Sequence, residues 1–343
     1  MVAAGFPRSS HSRPAAPRRG GLVFPPSPHP PHVDNGKDVK RLLRKKGKPN
    51  PPSVVALDGP WSHERVYARG MRFHVATTGD PTAPLIVLLH GAFGGWFDWR
   101  EVMRPLADAG YRVAAVDMRG YGMSDKPPRE YELRYAVGDI SDVIDSLGDS
   151  GAIVIGSGTG GAVAWTLAAN YPQCVNALVS VSASHPTEMN RVIAARFWQH
   201  TVPLTRGITV RLPSRLTPDP VDFARLDLAA NTATPFHRTS RFSEYLELRT
   251  QAARIDNTGP AMMRNARLEM AQLPPKWVST RVGSPVLWLS EDNGTWRALA
   301  TRNSRRTDGP WVRATVPGTK NLPHIEDPGA FTRIVTDFLR DLT

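Results

Sequence analysis

The strongest constraint on the fold is the alternation of short apolar runs with amphipathic stretches from Trp61 onward. Runs at 64–69 and 71–77 precede six continuous apolar runs of the kind that is buried on both faces of a parallel sheet. Those six runs are 85–90, 112–117, 152–156, 177–183, 285–290 and 311–316. Helices are predicted at 99–109, 133–147, 160–171 and 328–341. The pattern predicts an α/β fold with a mostly parallel, doubly wound sheet.

The strand rhythm stops between Pro186 and about Val282, where Arg-rich helical stretches dotted with aromatic residues replace it. A chain of 343 residues with 41% hydrophobic content is long enough to bury a large core and carry such an insertion. We therefore predict a core of residues 59–185 and 283–343 that is interrupted by a helical segment at 186–282.

Most of the net charge of +12 lies at the N-terminus, where residues 1–60 carry eleven Lys or Arg against three Asp. Residues 1–58 are rich in Pro, Ser and Arg and have too few apolar residues for a core, so a disordered basic tail is predicted. Its segment KDVKRLLRKKGK (37–48) is either a short basic helix that contacts an anionic surface or a solvated extension. The signal for nucleic-acid binding is weak.

Cysteine content and hydropathy limit the cellular compartments in which this chain is expected. The single cysteine, Cys174, excludes an intramolecular disulfide framework and suits a reducing compartment. No apolar run approaches the ~18 residues that span a bilayer, and the N-terminus lacks the hydrophobic region of a signal peptide. We expect a cytoplasmic protein that is not transmembrane.

Residues 152–172, AIVIGSGTGGAVAWTLAANYP, combine a short apolar strand, a tight glycine turn and an Ala-rich helix. That order is the context of a nucleophile elbow. Together with LIVLLHGAFGGWFDWR (85–100) and YRVAAVDMRGYGMSDKPP (111–128), it resembles the α/β-hydrolase superfamily, and within it the actinobacterial epoxide hydrolases. The resemblance runs from about Trp61 to the C-terminus. It implies an α/β-hydrolase fold in which the segment at 186–282 is a helical cap over the active site.

The resemblance places the catalytic nucleophile at Gly158, within the glycine turn Gly156 to Gly161. Epoxide hydrolases use an aspartate there and esterases use a serine. Glycine has no side chain and does neither job. It does enter strained backbone regions with little penalty.

The catalytic histidine and acid positions are also altered. The late loop VPGTKNLPHIEDP (316–328) places Asn321 where the resemblance implies the histidine, and His324 at the second histidine of the pattern. His324 is either a packing residue or a substitute base. In LWLSEDNGTW (287–296), the acid falls on Gly294, or on Asn293 with one deletion, and Asp292 and Glu291 are nearby replacements.

Other features of the site survive. His90 and Gly91 keep the loop after the third strand, so the resemblance implies oxyanion-binding backbone amides at Ala92 and Thr159. Phe93 replaces the usual proline of that loop. Pocket candidates are His90, Phe93, Trp96, Tyr245 and His324. Tyr245 is either one of the two cap tyrosines of epoxide hydrolases or half-buried packing, and PAMMRNARLEM (260–270) lacks the other.

Three alternatives remain open. Ser157 or Thr159 could replace the nucleophile, although each is displaced by one position from the elbow centre. Gly156, Gly158 and Gly161 also spell the G-x-G-x-x-G pattern of dinucleotide sites, but the following strand ends without an acidic residue for the ribose. We therefore expect a pseudoenzyme without cofactor or metal that binds a small apolar ligand or a protein partner, or otherwise a hydrolase with a rearranged site.

Overall fold

A computed structural model of the chain describes residues 48–195 and 219–342. Residues 1–47 of the predicted basic tail and residues 196–218 of the predicted insertion lie outside the described residues.

The described residues form one sheet of eight strands in the order β1-β2-β4-β3-β5-β6-β7-β8. β1 pairs with β2 and β2 with β4 in antiparallel fashion, and the remaining neighbours are parallel. The strands are β1 Ser62–Ala68, β2 Met71–Thr78, β3 Leu85–Leu89, β4 Arg112–Val116, β5 Ala152–Ser157, β6 Val175–Val181, β7 Val286–Leu289 and β8 Trp311–Ala314. Each predicted run overlaps one of these strands, with ends that differ by up to two residues, and the mostly parallel, doubly wound sheet is confirmed.

Helices cover the sheet and fill the connection between β6 and β7. In the described ranges they are α1 Arg100–Asp108, α2 Leu133–Ser146, α3 Thr159–Asn170, α4 Pro186–Ala195, α5 Pro220–Asn231, α6 Ser240–Ala253, α7 Thr258–Asn265, α8 Pro275–Val278, α9 Gly294–Ser304, α10 Pro323–Glu326 and α11 Pro328–Arg340. Several begin where sequence signals place them. Asp219 and Asp327 cap α5 and α11 with their side chains, each just before a proline in the first turn.

The central parallel strands are buried beneath helices, whereas β8, at the edge of the sheet, is partly exposed, so the prediction that its run is buried on both faces was wrong. All residues of β3 and β5 are buried, and α3 is buried along its whole length apart from Asn170. A helix that is apolar on every side belongs in the interior of a domain. The turn between β5 and α3 therefore sits at the centre of the sheet, at the carboxyl ends of the parallel strands.

The helical insertion, residues 186–282, lies between β6 and β7 and carries α4 to α8. Buried charges join it to the core. Arg249 in α6 donates to Asp98 of the core over 2.8 Å and to Asp227 of α5 over 3.0 Å, and the side chains of Arg249 and Asp98 are each 1% exposed. Removing one member of such a buried pair leaves an uncompensated charge, which makes the contact costly to open.

The C-terminal end of the predicted tail needs correction, because residues 50–58 pack on the core. Val55 is fully buried, and its carbonyl accepts a hydrogen bond from the Trp96 indole over 2.9 Å. The Asn50 amide donates to the Arg254 carbonyl over 2.9 Å. The composition of residues 1–58 as a whole obscured a short apolar segment, Val54 and Val55, that has a place in the core.

Within the described ranges, none of the helices combines the length and the apolar character needed to cross a bilayer. In the same ranges, no three His, Cys, Asp or Glu side chains are grouped as they would be around a metal ion.

Candidate functional site

The turn between β5 and α3 has the backbone geometry of an elbow. Gly158 has φ 50° and ψ −117° and is the N-cap of α3. Its amide donates to the Val181 carbonyl over 3.2 Å, and its carbonyl accepts from the Ala162 amide over 3.0 Å. A positive φ with this ψ is strained for any residue that has a Cβ atom, so glycine is favoured here.

The other glycines of the turn are required by close packing. A Cβ on Gly156 would lie 2.6 Å from the Gly161 Cα, and one on Gly161 would lie 2.8 Å from the Gly156 carbonyl oxygen. A Cβ on Gly160 would lie 2.6 Å from the His90 carbonyl oxygen. These contacts explain the G-x-G-x-x-G spacing through the packing of α3 on β3 and β5, without a dinucleotide.

Position 158 differs from its neighbours because it has room for a side chain. Among the described residues, only the Glu269 Oε1 atom, at 3.1 Å, and the Gly91 Cα atom, at 3.8 Å, approach the place of a Cβ on Gly158. Glu269 belongs to the 3-10 helix Leu268–Met270 of the insertion. A carboxylate supplied by the insertion thus lies beside the centre of the elbow.

Thr159 holds this carboxylate in place. Its hydroxyl donates to Glu269 Oε1 over 3.0 Å, and the threonine is fully buried. Ser157 is 2% exposed. Within the described residues, neither hydroxyl has a hydrogen bond to a histidine, so the structure brings no hydroxyl–histidine pair together at the turn. Sequence reasoning missed Glu269, because segment 260–270 was considered only for its missing tyrosine and Glu269 is 110 positions from Thr159.

Asn321, the predicted histidine position, connects the core to the insertion. Its Nδ2 donates to Asn231 Oδ1 over 3.0 Å, and its amide donates to the Asn231 carbonyl over 3.0 Å. Its Oδ1 accepts from the Trp296 indole over 3.0 Å. Both ends of the side-chain amide are used in structural hydrogen bonds, and an amide does not act as a general base at neutral pH.

The acid positions have structural roles as well. Asn293 is the N-cap of α9, and its Oδ1 accepts from the Thr295 and Trp296 amides at 3.0 Å each. Trp296 therefore bonds Asn293 through its backbone amide and Asn321 through its indole, and so links these two positions. Asp292 is 55% exposed and pairs with Arg313 over 2.6 Å. Glu291 accepts from Asn293 Nδ2 over 3.1 Å, and Gly294 is the first residue of α9.

His324 lies in the interior, in the first turn of α10. Its ring stacks on Trp99 with centroids 4.0 Å apart, and its buried Nδ1 atom has no hydrogen-bond partner among the described residues. Burial, aided by the charge of Arg249, holds the pKa of His324 well below its ordinary value. The ring is therefore a neutral packing group at physiological pH.

His90 is also neutral and structural. Its Nε2 accepts from the Met118 amide over 3.1 Å, and its Nδ1 lies 2.8 Å from the Gly91 carbonyl, so the proton is on Nδ1. Burial lowers its pKa, against the opposing charge of Asp117. These bonds fix the loop after β3, in which the Ala92 carbonyl accepts from the Tyr121 hydroxyl over 2.7 Å.

Two amides near the turn remain of interest for binding an oxygen atom. Thr159 is the first residue of α3, where backbone amides have no acceptor within the helix. Ala92 is buried in the loop that follows Gly91, whose Cα approaches position 158. Phe93, the next residue, stacks on Phe223 of the insertion with centroids 5.7 Å apart, which gives this region an apolar contact between core and insertion.

The two remaining pocket candidates are held elsewhere. Trp96 is buried, and its indole donates to the Val55 carbonyl on the N-terminal segment. Tyr245 is buried, and its hydroxyl donates to Glu101 Oε1 over 2.9 Å, with the Arg100 guanidinium 3.8 Å from the ring centroid. Both side chains have structural partners in these contacts.

Comparisons with known proteins agree with this geometry. The α/β-hydrolase fold family matches residues 84–211. Mouse epoxide hydrolase 4 is 36% identical over 162 residues, which are 46% of this chain and 45% of that protein. Epoxide hydrolase B of Mycobacterium tuberculosis is 41% identical over 124 residues, 35% of each chain. The chain thus spans less than half the length of these relatives.

Among solved structures, epoxide hydrolase A of Mycobacterium thermoresistibile superposes with a TM-score of 0.64 at 22% identity, over 82% of this chain and 98% of that one. At this level of identity the superposition establishes the fold. The α/β-hydrolase fold predicted from the sequence is therefore confirmed.

Proposed function

We propose that this chain, which belongs to the α/β-hydrolase superfamily, has lost the catalysis of the epoxide hydrolases it resembles and binds a small ligand beneath its insertion, which acts as a cap. The observation that carries the proposal is the elbow itself. Its strained backbone is intact at Gly158, but no nucleophile projects from it.

The positions of the catalytic histidine and the catalytic acid also lack the residues that hydrolysis requires. Hydrolysis by this fold needs a nucleophile, a histidine that activates it or a water, and an acid that orients the histidine. Positions 321 and 293 carry asparagines, and both are engaged in hydrogen bonds with Trp296. His324 and His90, the two histidines that lie within the sequence motifs, are buried and have lowered pKa values.

A hydrolase with a rearranged site is the competing function, and Thr159 is its best nucleophile. Its hydroxyl does meet a possible base, Glu269, at 3.0 Å. The threonine is nevertheless fully buried, whereas a nucleophile must reach the reacting carbon. Loss of catalysis accounts for Gly158, for the two asparagines at 293 and 321, and for the burial of Thr159. It therefore explains the site better than a rearranged hydrolase does.

Turnover assays on the purified full chain test the proposal. We expect hydrolysis of styrene oxide and 4-nitrophenyl acetate to stay at the buffer rate, because loss of nucleophile or base alone lowers turnover by about six decades in a serine protease. Hydrolysis that disappears in Thr159→Val but persists in Thr166→Val would overturn it. Thr166 is a suitable control, since it is buried in the same helix and its hydroxyl donates to the Ala162 carbonyl, away from Glu269.

Reversal variants extend the test. Gly158→Asp with Asn321→His restores two missing groups, but the new aspartate would lie beside the Glu269 carboxylate, and like charges at this distance oppose ionisation. Adding Glu269→Gln removes that conflict. We expect covalent capture of an epoxide on residue 158 to be more efficient in the triple variant than in the double one, with little turnover in either.

A further inference from the structure

A chain of three hydrogen bonds joins the buried carboxylate of Asp117 to the backbone of residues 50–61. The Asp117 Oδ2 atom lies 2.8 Å from His74 Nδ1, and His74 Nε2 lies 2.8 Å from His63 Nδ1. The other ring nitrogen of His63, Nε2, lies 2.9 Å from the Leu57 carbonyl oxygen. Asp117 is fully buried and His74 is 4% exposed, whereas His63 is exposed on β1. The chain therefore runs from the interior of the core to its surface.

The number of protons in this chain follows from its two ends. Each of the three gaps needs one proton, because a carbonyl and an ionised carboxylate only accept hydrogen bonds. Two neutral imidazoles carry one N–H proton each and supply only two. With two protons, one gap of 2.8 or 2.9 Å would bring two lone pairs together. The geometry thus requires a third proton, which makes one of the two rings an imidazolium.

The third proton also balances the buried charge of Asp117. Its Oδ1 accepts from the Trp96 amide and its Oδ2 accepts from the Met123 amide, each over 3.1 Å. Donors on both oxygens favour the ionised carboxylate. A buried charge without a partner of opposite sign is costly, and an imidazolium of His74 at 2.8 Å supplies that partner. The carboxylate and the two rings together are then neutral.

We propose that His63 and His74 share this extra proton near neutral pH, and that the proton makes the chain of bonds a pH-sensitive latch for residues 50–61. When the pH rises and the proton leaves, one gap must open. The outermost gap, between His63 and the Leu57 carbonyl, lies at the surface, where water can replace the bond. The same carbonyl accepts from the Trp61 indole over 2.8 Å, so the latch holds the turn that precedes β1. The latch does not depend on what binds beneath the insertion.

Among the described charged groups around the latch, Lys126 is the one that can also titrate at mildly alkaline pH, because burial lowers its pKa. Burial lowers the pKa of His90 too, so that ring stays neutral over this range. Carboxylates and guanidiniums ordinarily titrate far from pH 6.5, where a free histidine does. Those that surround the latch are Asp58 before β1, Glu64 and Arg65 on β1, Arg72 on β2, Asp98 and Arg100 after β3, Asp125 after β4, and Glu244, Glu247 and Arg249 on α6.

Proton release on unfolding tests the count. The unfolded chain carries two neutral imidazoles at pH 7.5, so folding takes up the third proton, and its stabilisation is present at mildly acidic pH and lost as the pH rises. Urea unfolding of the full chain in weak buffer at pH 7.5, followed with a pH indicator, should release about one proton more from the parent than from His63→Phe. The response of Lys126 is common to both chains and cancels in this difference.

The variants separate the proton from the packing of the ring. Phenylalanine at 63 keeps a ring beside Trp96, which meets the His63 ring edge-on with centroids 5.1 Å apart, but has no nitrogen. His63→Ala repeats the test without a ring and guards against a fault in packing. His237→Gln removes a half-buried histidine that bonds Thr232, and as the matched control it should release as many protons as the parent. Equal release from the parent and both His63 variants would overturn the proposal.

The Trp61 indole reports the latch itself. On the ¹⁵N-labelled full chain, its N–H signal, assigned with Trp61→Phe, should move between pH 6 and 9 as the Leu57 carbonyl loses the bond from His63. This movement should be absent in His63→Phe. In the imidazole ¹⁵N spectrum at pH 7.5, the rings of His63 and His74 should together show three N–H groups. Two neutral rings at this pH would refute the shared proton, and a Trp61 signal that does not move would refute the latch.

Discussion

Replacing Gly158 with alanine measures the strain that the elbow imposes. An alanine at φ 50° and ψ −117° occupies a sparsely populated backbone region, which costs on the order of 1 to 3 kcal/mol. The contact of its Cβ with Glu269 Oε1, at 3.1 Å, adds little, because the end of a flexible side chain can shift. We therefore expect Gly158→Ala to fold and to lose about 1 to 3 kcal/mol of unfolding free energy.

Two other glycines separate backbone strain from steric conflict. Gly148 has φ 89° with no heavy atom near its added Cβ, so Gly148→Ala reports strain alone. Gly160 would place its Cβ 2.6 Å from the His90 carbonyl oxygen, which is backbone and cannot move aside cheaply. Gly160→Ala should therefore destabilise the chain more than either of the other two variants.

Urea denaturation at neutral pH gives the comparison, with the midpoint as readout and the slope as a check that the unfolded state is unchanged. For a domain of this size, the loss in Gly158→Ala corresponds to a melting temperature lower by roughly 2 to 10 °C. The reasoning is refuted if Gly158→Ala is as stable as the parent, or if Gly160→Ala is no less stable than Gly158→Ala. Either result would mean that the turn is not an elbow with room at its centre.

Three further outcomes are expected. Asn321→Ala removes a side-chain hydrogen bond to Asn231 of the insertion and one from the Trp296 indole of the core, and should lower the unfolding free energy by about 1 to 3 kcal/mol, measured as a lower urea midpoint. Burial alone would raise the pKa of Asp117, but hydrogen bonding and charge from His74 lower it from 3.8 to about 2. The stabilisation, about 2 kcal/mol, is present above pH 4 and lost as the pH falls toward 2, and Asp117→Asn should remove this part of the acid sensitivity. Deleting residues 1–57 should lower the melting temperature relative to a chain that starts at Lys48, because Val55 is lost from the core; equal melting temperatures would contradict this.

The sheet was predictable because its central parallel strands are continuous apolar runs that are buried on both faces, although the edge strand β8 carries Arg313 and is partly exposed. The turn at 156–161 was predictable for a related reason, since its glycines are required by contacts within about five residues and with the adjoining strand. The start of α11 at Pro328 was predicted, whereas the start of α5 was not singled out in advance, although Asp219 carries an ordinary capping signal followed by proline.

What the sequence concealed are contacts between distant segments. Glu269 reaches Thr159 across 110 positions, and Arg249 reaches Asp98 across 151. Neither pairing follows from periodicity, because a charged residue on a helix is normally solvated. The asparagines at 293 and 321 could be recognised as departures from a catalytic pattern, but their shared neighbour Trp296 is visible only in three dimensions.

The bridging tryptophan has a historical consequence. A histidine at 321 would take away the amide oxygen that receives the Trp296 indole, and an aspartate at 293 would have to serve both as helix cap and as partner of that histidine. Under the proposed loss of catalysis, each single substitution back toward a triad is expected to weaken these contacts before any activity returns. Since folded chains have only a small margin of stability, stepwise restoration of the triad is disfavoured.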